Sequence, residues 1–256
     1  MSLMPHPFRA VTLSAALSLM ALTAPAQAFD ITSMSDEERA ALRAEIRSYL
    51  LDNPEVIMEA VSVLEQRQAE AQAQGDIDLV RVNADAIFND GHSWVGGNPE
   101  GDITLVEFTD YRCSFCRRAH PELEQLLELD GNIRFIIKEF PILGEESVLS
   151  SRFAIAVKQI AGDEAYKAAH DVLIGYRGNI TPEALERIAG DLDLDAAAIL
   201  AHMTSEEVTQ VIAENHALAG RLQISGTPTF ILEDQMLRGY MPLADMQAVV
   251  AQTRQE

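Results

Sequence analysis

The two cysteines of this 256-residue chain are Cys113 and Cys116, separated only by Ser114 and Phe115. An apolar run at residues 103–108 precedes them, and its length and composition predict a buried β-strand. The segment after the pair has a helical pattern. A cysteine at the start of a helix meets unpaired backbone N–H groups and the positive end of the helix dipole, which stabilise a thiolate. The spacing therefore predicts a redox-active dithiol.

Three other roles compete for such a pair. A structural zinc site needs four ligands, and the sequence has neither a second C-x-x-C nor a closely spaced histidine pair. A structural disulfide across two residues closes so small a loop that it constrains the unfolded chain little. Binding of Cu(I) is the serious rival, because two thiolates suit that ion. Cys113 and Cys116 therefore stay open as a copper site.

The first 28 residues have the pattern of a secretory signal peptide. Arg9 gives a positive start, residues 10–22 are apolar, and residues 24–28 end in an A-x-A pattern that predicts cleavage after Ala28. The apolar run is shorter than the roughly 20 residues that span a membrane. We therefore expect a protein without a membrane span that is exported to the periplasm, an oxidising space where a free dithiol exchanges electrons.

The chain is strongly acidic, with 40 Asp and Glu against 19 Lys and Arg and a formal net charge of −21. Removal of the signal peptide removes Arg9 and takes the net charge to −22. Such a charge argues against nucleic acid or anionic lipid as a partner. The sequence has no phosphate-binding loop, dinucleotide fingerprint or Ser/His/Asp signature, and no cofactor is expected.

Residues 29–75 predict a helical segment and connector ahead of the main domain. Ser35 and Glu38 form a capping box at the start of a first helix, residues 52–54 break it, and a second helix ends at Gly75. The second helix carries an apolar stripe that has no core of its own. Two interpretations stay open: the helices pack back onto the chain, or identical subunits bury the stripe against one another. The stripe consists of Val56, Ile57, Ala60, Val61 and Leu64.

The rest of the chain alternates strands and helices. We predict a short helix at 78–89, a turn-rich stretch at 89–99, strands at 103–108 and 133–138, a helical block at 145–220, strands at 226–232 and 236–239, and a last helix at 242–254. The strand-helix-strand order around the cysteines implies a parallel pair with a right-handed crossover.

The C-x-x-C pair at a helix start, the large helical block and the distant motif Gly226-Thr227-Pro228-Thr229-Phe230 together resemble the DsbA-like branch of the thioredoxin superfamily. The resemblance covers residues 76–256 and implies a thioredoxin-like α/β fold with the helical block as an insertion. In that superfamily the proline of the second motif is cis and faces the dithiol, and the chain before it pairs with the substrate like an added strand. By resemblance, Thr227 and Pro228 contact the substrate.

Residues 46–60 resemble the N-terminal segment of ScsC-type proteins, which are trimeric DsbA-like isomerases. This resemblance favours self-association of residues 29–75, as a trimer or a dimer. Ser114 and Phe115 differ from the Pro-His pair of the strongly oxidising DsbA enzymes. A small residue followed by an aromatic one resembles the isomerase and reductase members, and we expect both residues to face the substrate.

Each group of the predicted site has an expected role. Cys113, expected to be exposed at the helix start, attacks a client disulfide, and Cys116, one turn further in, resolves the mixed disulfide. Glu107 is expected to be buried with a raised pKa and to relay the proton of Cys116, since the superfamily has an acid at this position. Lys138 is a candidate partner for Glu107, and His120 is expected to be a solvated surface residue.

The sequence thus predicts a periplasmic disulfide isomerase that acts on misfolded secreted proteins with cysteines and is reset by a membrane redox partner. A dithiol oxidase that introduces disulfides is the enzymatic alternative. A copper-tolerance protein that holds Cu(I) on its two cysteines is the alternative of another class. Trp94 and Tyr111 are expected to be packing residues rather than catalytic ones.

Overall fold

The computed structural model describes residues 31–255, so the signal peptide expected over residues 1–28 lies outside the described residues. The chain divides between Val61 and Ser62 into two compact units. No helix among the described residues combines the length and the apolar composition that crossing a bilayer requires.

The first unit contains a short 3-10 helix, Ile31–Ser33, helix α1, Asp36–Asp52, and the first residues of helix α2, Glu55–Val82. The predicted capping box starts α1: the Ser35 hydroxyl accepts the Glu38 N–H at 3.2 Å, and the Glu38 carboxylate accepts the Ser35 N–H at 2.8 Å. The predicted break is also confirmed, because α1 ends where the Asn53 N–H donates to the Tyr49 carbonyl.

Helix α2 is longer than the sequence predicts. The prediction ended it at Gly75, but the helix continues through this glycine, and a short helix α3, Ala84–Phe88, follows. A glycine inside a helix costs about 1 kcal/mol relative to alanine. Tertiary contacts offset this cost, since Val80 and the Asp76 side chain are buried and Arg238 forms an ion pair with Asp76.

Among the described residues, the second unit is built on a five-stranded sheet in the order β1-β3-β2-β4-β5. Its strands are β1, Trp94–Gly97, β2, Ile103–Thr109, β3, Ile133–Glu139, β4, Thr229–Leu232, and β5, Gln235–Arg238. The predicted parallel pair is confirmed: β2 and β3 run parallel, with Ile103 opposite Ile133 and Glu107 opposite Ile137. The other neighbouring strands pair antiparallel.

Strand β1 lies where the sequence predicts turns. Two glycines hide its strand pattern, and it pairs antiparallel with β3, so that Trp94 lies opposite Ile137. Gly96 leaves room for the Trp94 ring, since a Cβ at position 96 would stand 1.9 Å from the ring atom Cη2. The ring also packs edge-on against Phe135 and stacks on Tyr166. The prediction that Trp94 is a packing residue is confirmed.

Both faces of the central strands are covered, which explains their nearly continuous apolar sequence. Leu105 and Phe135 lie in a core that includes buried residues of helix α4, Ser114–Asp130, and helix α10, Leu243–Thr253. Val106 and Ile136 lie in a second core with buried residues of α2 and α3. Side chains alternate between the two faces along each strand.

The predicted helical block between β3 and β4 is confirmed and consists of separate helices. They are α5, Glu145–Ala161, α6, Asp163–Gly175, α7, Pro182–Asp191, α8, Ala196–His202, and α9, Glu206–Arg221. Three of them begin at side-chain caps: the side chains of Thr181, Asp195 and Ser205 each accept the backbone N–H three residues further on. In sequence the block separates strands β1, β2 and β3 from strands β4 and β5, so it is an all-helical insertion between two parts of one sheet.

Candidate active site

The first cysteine of the pair caps a helix. Cys113 is the N-cap residue of α4, and its Sγ accepts the backbone N–H of Cys116 at 3.4 Å. The first backbone N–H groups of a helix have no partner within the helix. The sulfur therefore lies where hydrogen-bond donors and the helix dipole favour negative charge.

A buried aspartate holds the turn between β2 and this helix. The Asp110 carboxylate accepts the backbone N–H groups of Arg112, Ile142 and Leu143 at 2.7 to 3.1 Å. The Asp110 side chain is fully buried, and these charge-assisted bonds compensate for the lost water. Sequence analysis did not identify this residue, although an aspartate just before a C-x-x-C pair is a recognisable turn signal.

The Thr227 main chain lies over the first sulfur. The Cys113 sulfur lies 3.2 Å from the Thr227 carbonyl oxygen, and the Thr227–Pro228 peptide bond is cis, as the resemblance implies. The prediction that Cys113 is exposed is wrong: with this loop against the sulfur the residue is only 6% exposed. Ser114 and Phe115, by contrast, are exposed beside it.

The two thiols differ strongly in acidity. Hydrogen bonds lower the pKa of Cys113 to about 5. The largest effect comes from the Cys116 thiol. The Thr227 side chain and the backbone N–H groups of Cys116 and Phe115 add smaller effects. Burial raises the pKa of Cys116, and the hydrogen bond to Cys113 and the charge of Glu107 add to the effect. At neutral pH the pair therefore holds one thiolate, on Cys113, and one thiol, on Cys116.

Glu107 is buried inside strand β2, on the sheet face of Leu105 and of helix α4. Burial raises its pKa to about 8, against a hydrogen bond with Thr109 that lowers it. The expected burial and raised pKa are confirmed. The role of Glu107 as the proton relay for Cys116 stays a prediction.

Lys138 does not pair with Glu107. In the parallel register Glu107 lies opposite Ile137, so Lys138 points to the other face of the sheet. There its Nζ donates to the Asp90 carboxylate at 2.5 Å and to the Ala86 carbonyl at 2.9 Å. The predicted partner is wrong because a shift of one residue along a strand reverses the face.

Phe115 is part of an exposed aromatic surface next to the dithiol. The residue is 55% exposed, and its ring stacks on Tyr240 with 6.5 Å between centroids. The Arg118 guanidinium lies 4.2 Å from the centre of the Tyr240 ring, and the Tyr240 hydroxyl donates to Glu122 at 2.6 Å. Sequence analysis missed Tyr240, which reaches the site from the segment between β5 and α10.

A second polar cluster lies behind the turn. The Tyr111 hydroxyl donates to the buried Glu139 carboxylate at 2.7 Å and lies 3.0 Å from His170 Nδ1. Tyr111 is fully buried, so its predicted packing role is confirmed, with a hydrogen-bond network added. The prediction for His120 is wrong: its side chain is only 19% exposed and its Nε2 lies 3.3 Å from Asp171 Oδ1.

A pair of sulfurs with one ionised and one protonated member is suited to exchange disulfides with other molecules. A C-x-x-C pair at the start of α4, next to strand β2 of this α/β sheet, places the chain in the class of thiol-disulfide oxidoreductases. Residues 104–251 match the DSBA-like thioredoxin domain, and the chain belongs to this family. Residues 38–71 match the copper resistance protein ScsC N-terminal domain. Both resemblances drawn from the sequence, and the predicted fold class, are confirmed.

Two solved structures illustrate the likeness. A thioredoxin-like oxidoreductase from Silicibacter pomeroyi DSS-3 is 40% identical, covers 67% of this chain and 98% of its own, and superposes with a TM-score of 0.63. A periplasmic thioredoxin-like protein from Salmonella enterica serovar Typhimurium is 29% identical, covers 67% of this chain and 95% of its own, with a TM-score of 0.61.

The curated relatives are longer proteins. The Na(+)/H(+) antiporter NhaA 1 of Salinispora arenicola is 30% identical over 180 residues, which are 70% of this chain and 26% of that protein. This chain spans about a quarter of the length of the curated relatives it matches. A match over that part assigns no transport activity to this chain.

Proposed function

We propose that this protein is a periplasmic disulfide isomerase that self-associates through its N-terminal helices and rearranges wrong disulfides in secreted proteins. The observation that carries the proposal is an uncovered apolar stripe on α2 of a chain that also has an ionised C-x-x-C sulfur. Ile57, Val61 and Leu64 are 50%, 40% and 55% exposed. They recur at helical spacing on one face, and a second copy of the chain is a partner that such a face fits.

The proposed chemistry begins at the ionised sulfur. The Cys113 thiolate attacks one sulfur of a client disulfide; that S–S bond breaks, a mixed disulfide forms, and the other client sulfur leaves as a thiolate. The freed client thiolate attacks a different client disulfide, and a client thiolate finally displaces Cys113. Electrons balance within the client, so the isomerase returns to its starting dithiol without an external oxidant.

A second reaction releases the client from a mixed disulfide that does not rearrange. Glu107, with a pKa of about 8, is ionised in a minor fraction of molecules near neutral pH. In that form its carboxylate accepts the proton of Cys116, and the Cys116 sulfur attacks Cys113. The client leaves reduced and the pair is oxidised, so a redox partner in the membrane must reduce it again. The Thr227 main chain pairs with the client backbone, and Phe115 contacts client side chains.

Oligomerisation favours isomerisation over oxidation. Several dithiols around one client raise the effective concentration of each for the next exchange. The predicted signal peptide and the periplasmic relative from Salmonella enterica support the periplasm as the location. We infer domains at residues 29–75, for self-association, and 76–256, for catalysis, although α2 runs through this boundary.

The test is reactivation of scrambled ribonuclease by the mature chain and by two single variants. Val61→Glu places a charge in the apolar stripe, and Ser62→Glu places the same charge on another face of α2. We expect Ser62→Glu to associate and to reactivate like the wild type, and Val61→Glu to sediment as a monomer with at least about tenfold lower reactivation. Rapid oxidation of reduced ribonuclease by all three proteins, without reactivation, would leave a dithiol oxidase instead.

A second candidate function is Cu(I) binding by the two cysteines. The match of residues 38–71 to a domain named for copper resistance favours it, and both sulfurs lie at one helix start. Two thiolates are suitable ligands for Cu(I). Competition with a chromogenic Cu(I) chelator tests it: binding of one ion per chain that disappears in both Cys113→Ser and Cys116→Ser supports a copper site, and binding weaker than the chelator excludes it.

A further inference from the structure

A group of metal-ligand side chains lies between α4 and α6, beginning one helical turn beyond Cys116. It consists of His120 on α4 and of His170 and Asp171 on α6, each of which offers one ligand atom within 4.8 Å of the others. We call these three residues the His-His-Asp cluster. His170 is 2% exposed, His120 is partly buried, and Asp171 is exposed enough for an ion to enter from solvent.

The distances in the cluster suit a small cation. Two ligands of a tetrahedral Zn²⁺ stand about 3.3 Å apart when the bonds are about 2.0–2.1 Å long. His120 Nε2 and Asp171 Oδ1 already lie 3.3 Å apart. The ring nitrogen of His170 has to move toward these two atoms by on the order of 1 Å to occupy a third ligand position of such a site. A water molecule can occupy the fourth position.

The buried network behind the cluster prepares His170 as a ligand. The Tyr111 hydroxyl has one proton, which it donates to Glu139, so it must accept its other hydrogen bond from the His170 Nδ1–H. This tautomer leaves the lone pair on Nε2. A histidine oriented by a hydrogen bond from its second nitrogen is the usual arrangement at metal sites in proteins.

We propose that His120, His170 and Asp171 bind one divalent transition-metal cation of the Zn²⁺ type. Two imidazoles and a carboxylate suit Zn²⁺ and its neighbours, whereas Mg²⁺ and Ca²⁺ prefer oxygen ligands throughout. The site does not use the two cysteines as ligands, and the inference does not rest on the proposed isomerase function. It joins the helix that carries the cysteines to the helical insertion.

Lys167 competes with the metal for the carboxylate. Its Nζ donates to both oxygens of Asp171, at 2.7 and 2.8 Å, and lies 3.3 Å from Glu124. When a cation binds Asp171, the ammonium group can keep its pair with Glu124 alone. Removal of the lysine charge should therefore tighten metal binding, which no role in packing alone would cause.

The experiment titrates Zn²⁺ into the mature full-length chain by calorimetry, with Cys113 and Cys116 joined as a disulfide so that their sulfurs cannot bind the ion. We expect one ion per chain. His120→Gln and Asp171→Asn, at partly exposed positions that tolerate change, should each weaken binding at least about tenfold. His202→Gln removes a histidine outside the cluster and should leave the affinity unchanged.

A gain of affinity completes the test. Lys167→Met should tighten Zn²⁺ binding about two- to fivefold, the ratio that corresponds to loss of an exposed ion pair. Lys158→Met removes a comparable pair with Asp163 and should have no effect. Absence of saturable binding by the oxidised chain, or an unchanged affinity in His120→Gln with an intact fold by circular dichroism, would overturn the proposal.

Discussion

At the scale of single residues, Cys113 and Cys116 have opposite ionisation states at neutral pH although they are only three positions apart in the sequence. Cys113 caps the helix and receives hydrogen bonds, whereas Cys116 lies one turn deeper, beside a buried carboxyl group. The sequence reveals the first of these effects, because the cap position follows from the order strand, pair, helix. It does not reveal the contribution of Thr227, which comes from more than a hundred residues further along the chain.

The Thr227 side chain can be tested without disturbing its main chain. Thr227→Val removes the hydroxyl that lowers the pKa of Cys113 and keeps the carbonyl against the sulfur. We expect the pKa of Cys113 to rise from about 5 to about 6. The ultraviolet absorbance of the thiolate, followed against pH in the reduced protein, measures it. Ser114→Ala, next to the sulfur, is the control, and an equal rise there would contradict the assignment.

Glu107 should make the protein less stable at alkaline pH. Its pKa is raised in the folded state to about 8, so between about pH 4.5 and pH 8 the folded protein holds a proton that the unfolded chain has released. The free energy of unfolding therefore falls as the pH rises through this range. Glu107→Gln should abolish that fall and stabilise the protein by about 2–4 kcal/mol near pH 9.

Urea unfolding of the oxidised protein at several pH values measures this effect, because the disulfide form has no Cys113 thiolate with an opposite pH dependence. Glu128→Gln removes an exposed carboxylate of α4 and should leave the pH dependence unchanged. A pH dependence that persists in Glu107→Gln would assign it to another buried group, such as Glu139, whose pKa burial raises to about 7.

At the scale of helices and strands, local signals predicted the starts of elements better than their ends. The capping side chains of Ser35, Thr181 and Ser205 act within three residues, so the sequence contains the whole interaction. The continuation of α2 through Gly75 depends instead on Arg238 of strand β5. Such contacts between distant segments outweigh the cost of about 1 kcal/mol for a glycine inside a helix. They cannot be predicted from the residues around Gly75 alone.

The ion pair of Arg238 and Asp76 should stabilise this part of α2 measurably. Asp76 is buried, so Arg238→Met leaves a charge without its partner and should cost about 3 kcal/mol. Arg81→Met breaks an exposed pair with Asp78 on the same helix and should cost less than about 0.5 kcal/mol. Urea denaturation of both variants compares the costs, and equal values would show that the Asp76 pair has no special role.

At the scale of the whole molecule, the family could be predicted because two short motifs fall at corresponding points of one sheet. The C-x-x-C pair follows β2, and the Thr227–Pro228 peptide precedes β4, which is the strand hydrogen-bonded to β2. Strand pairing brings the motifs together although the helical insertion separates them in sequence. The His-His-Asp cluster could not be predicted in this way, because it requires the packing of α4 on α6.

Self-association should depend on salt in an unusual direction. Each mature chain is expected to carry a net charge of −22, so subunits repel one another while their apolar stripes attract. Raising the salt concentration from about 0.05 M to about 0.5 M screens the repulsion and should tighten association severalfold. Sedimentation velocity at a fixed protein concentration measures it. Val61→Glu should remain monomeric at both concentrations, and association that weakens with salt would indicate an electrostatic interface instead.

The cover that Thr227 forms over Cys113 also bears on chemical damage. A thiolate that is present at neutral pH is the form that peroxides oxidise, first to sulfenic acid and then irreversibly to sulfinic acid. Because the residue is only 6% exposed, little of the sulfur surface is open to small oxidants. We therefore expect this cover to slow the irreversible oxidation of Cys113 by freely diffusing peroxide.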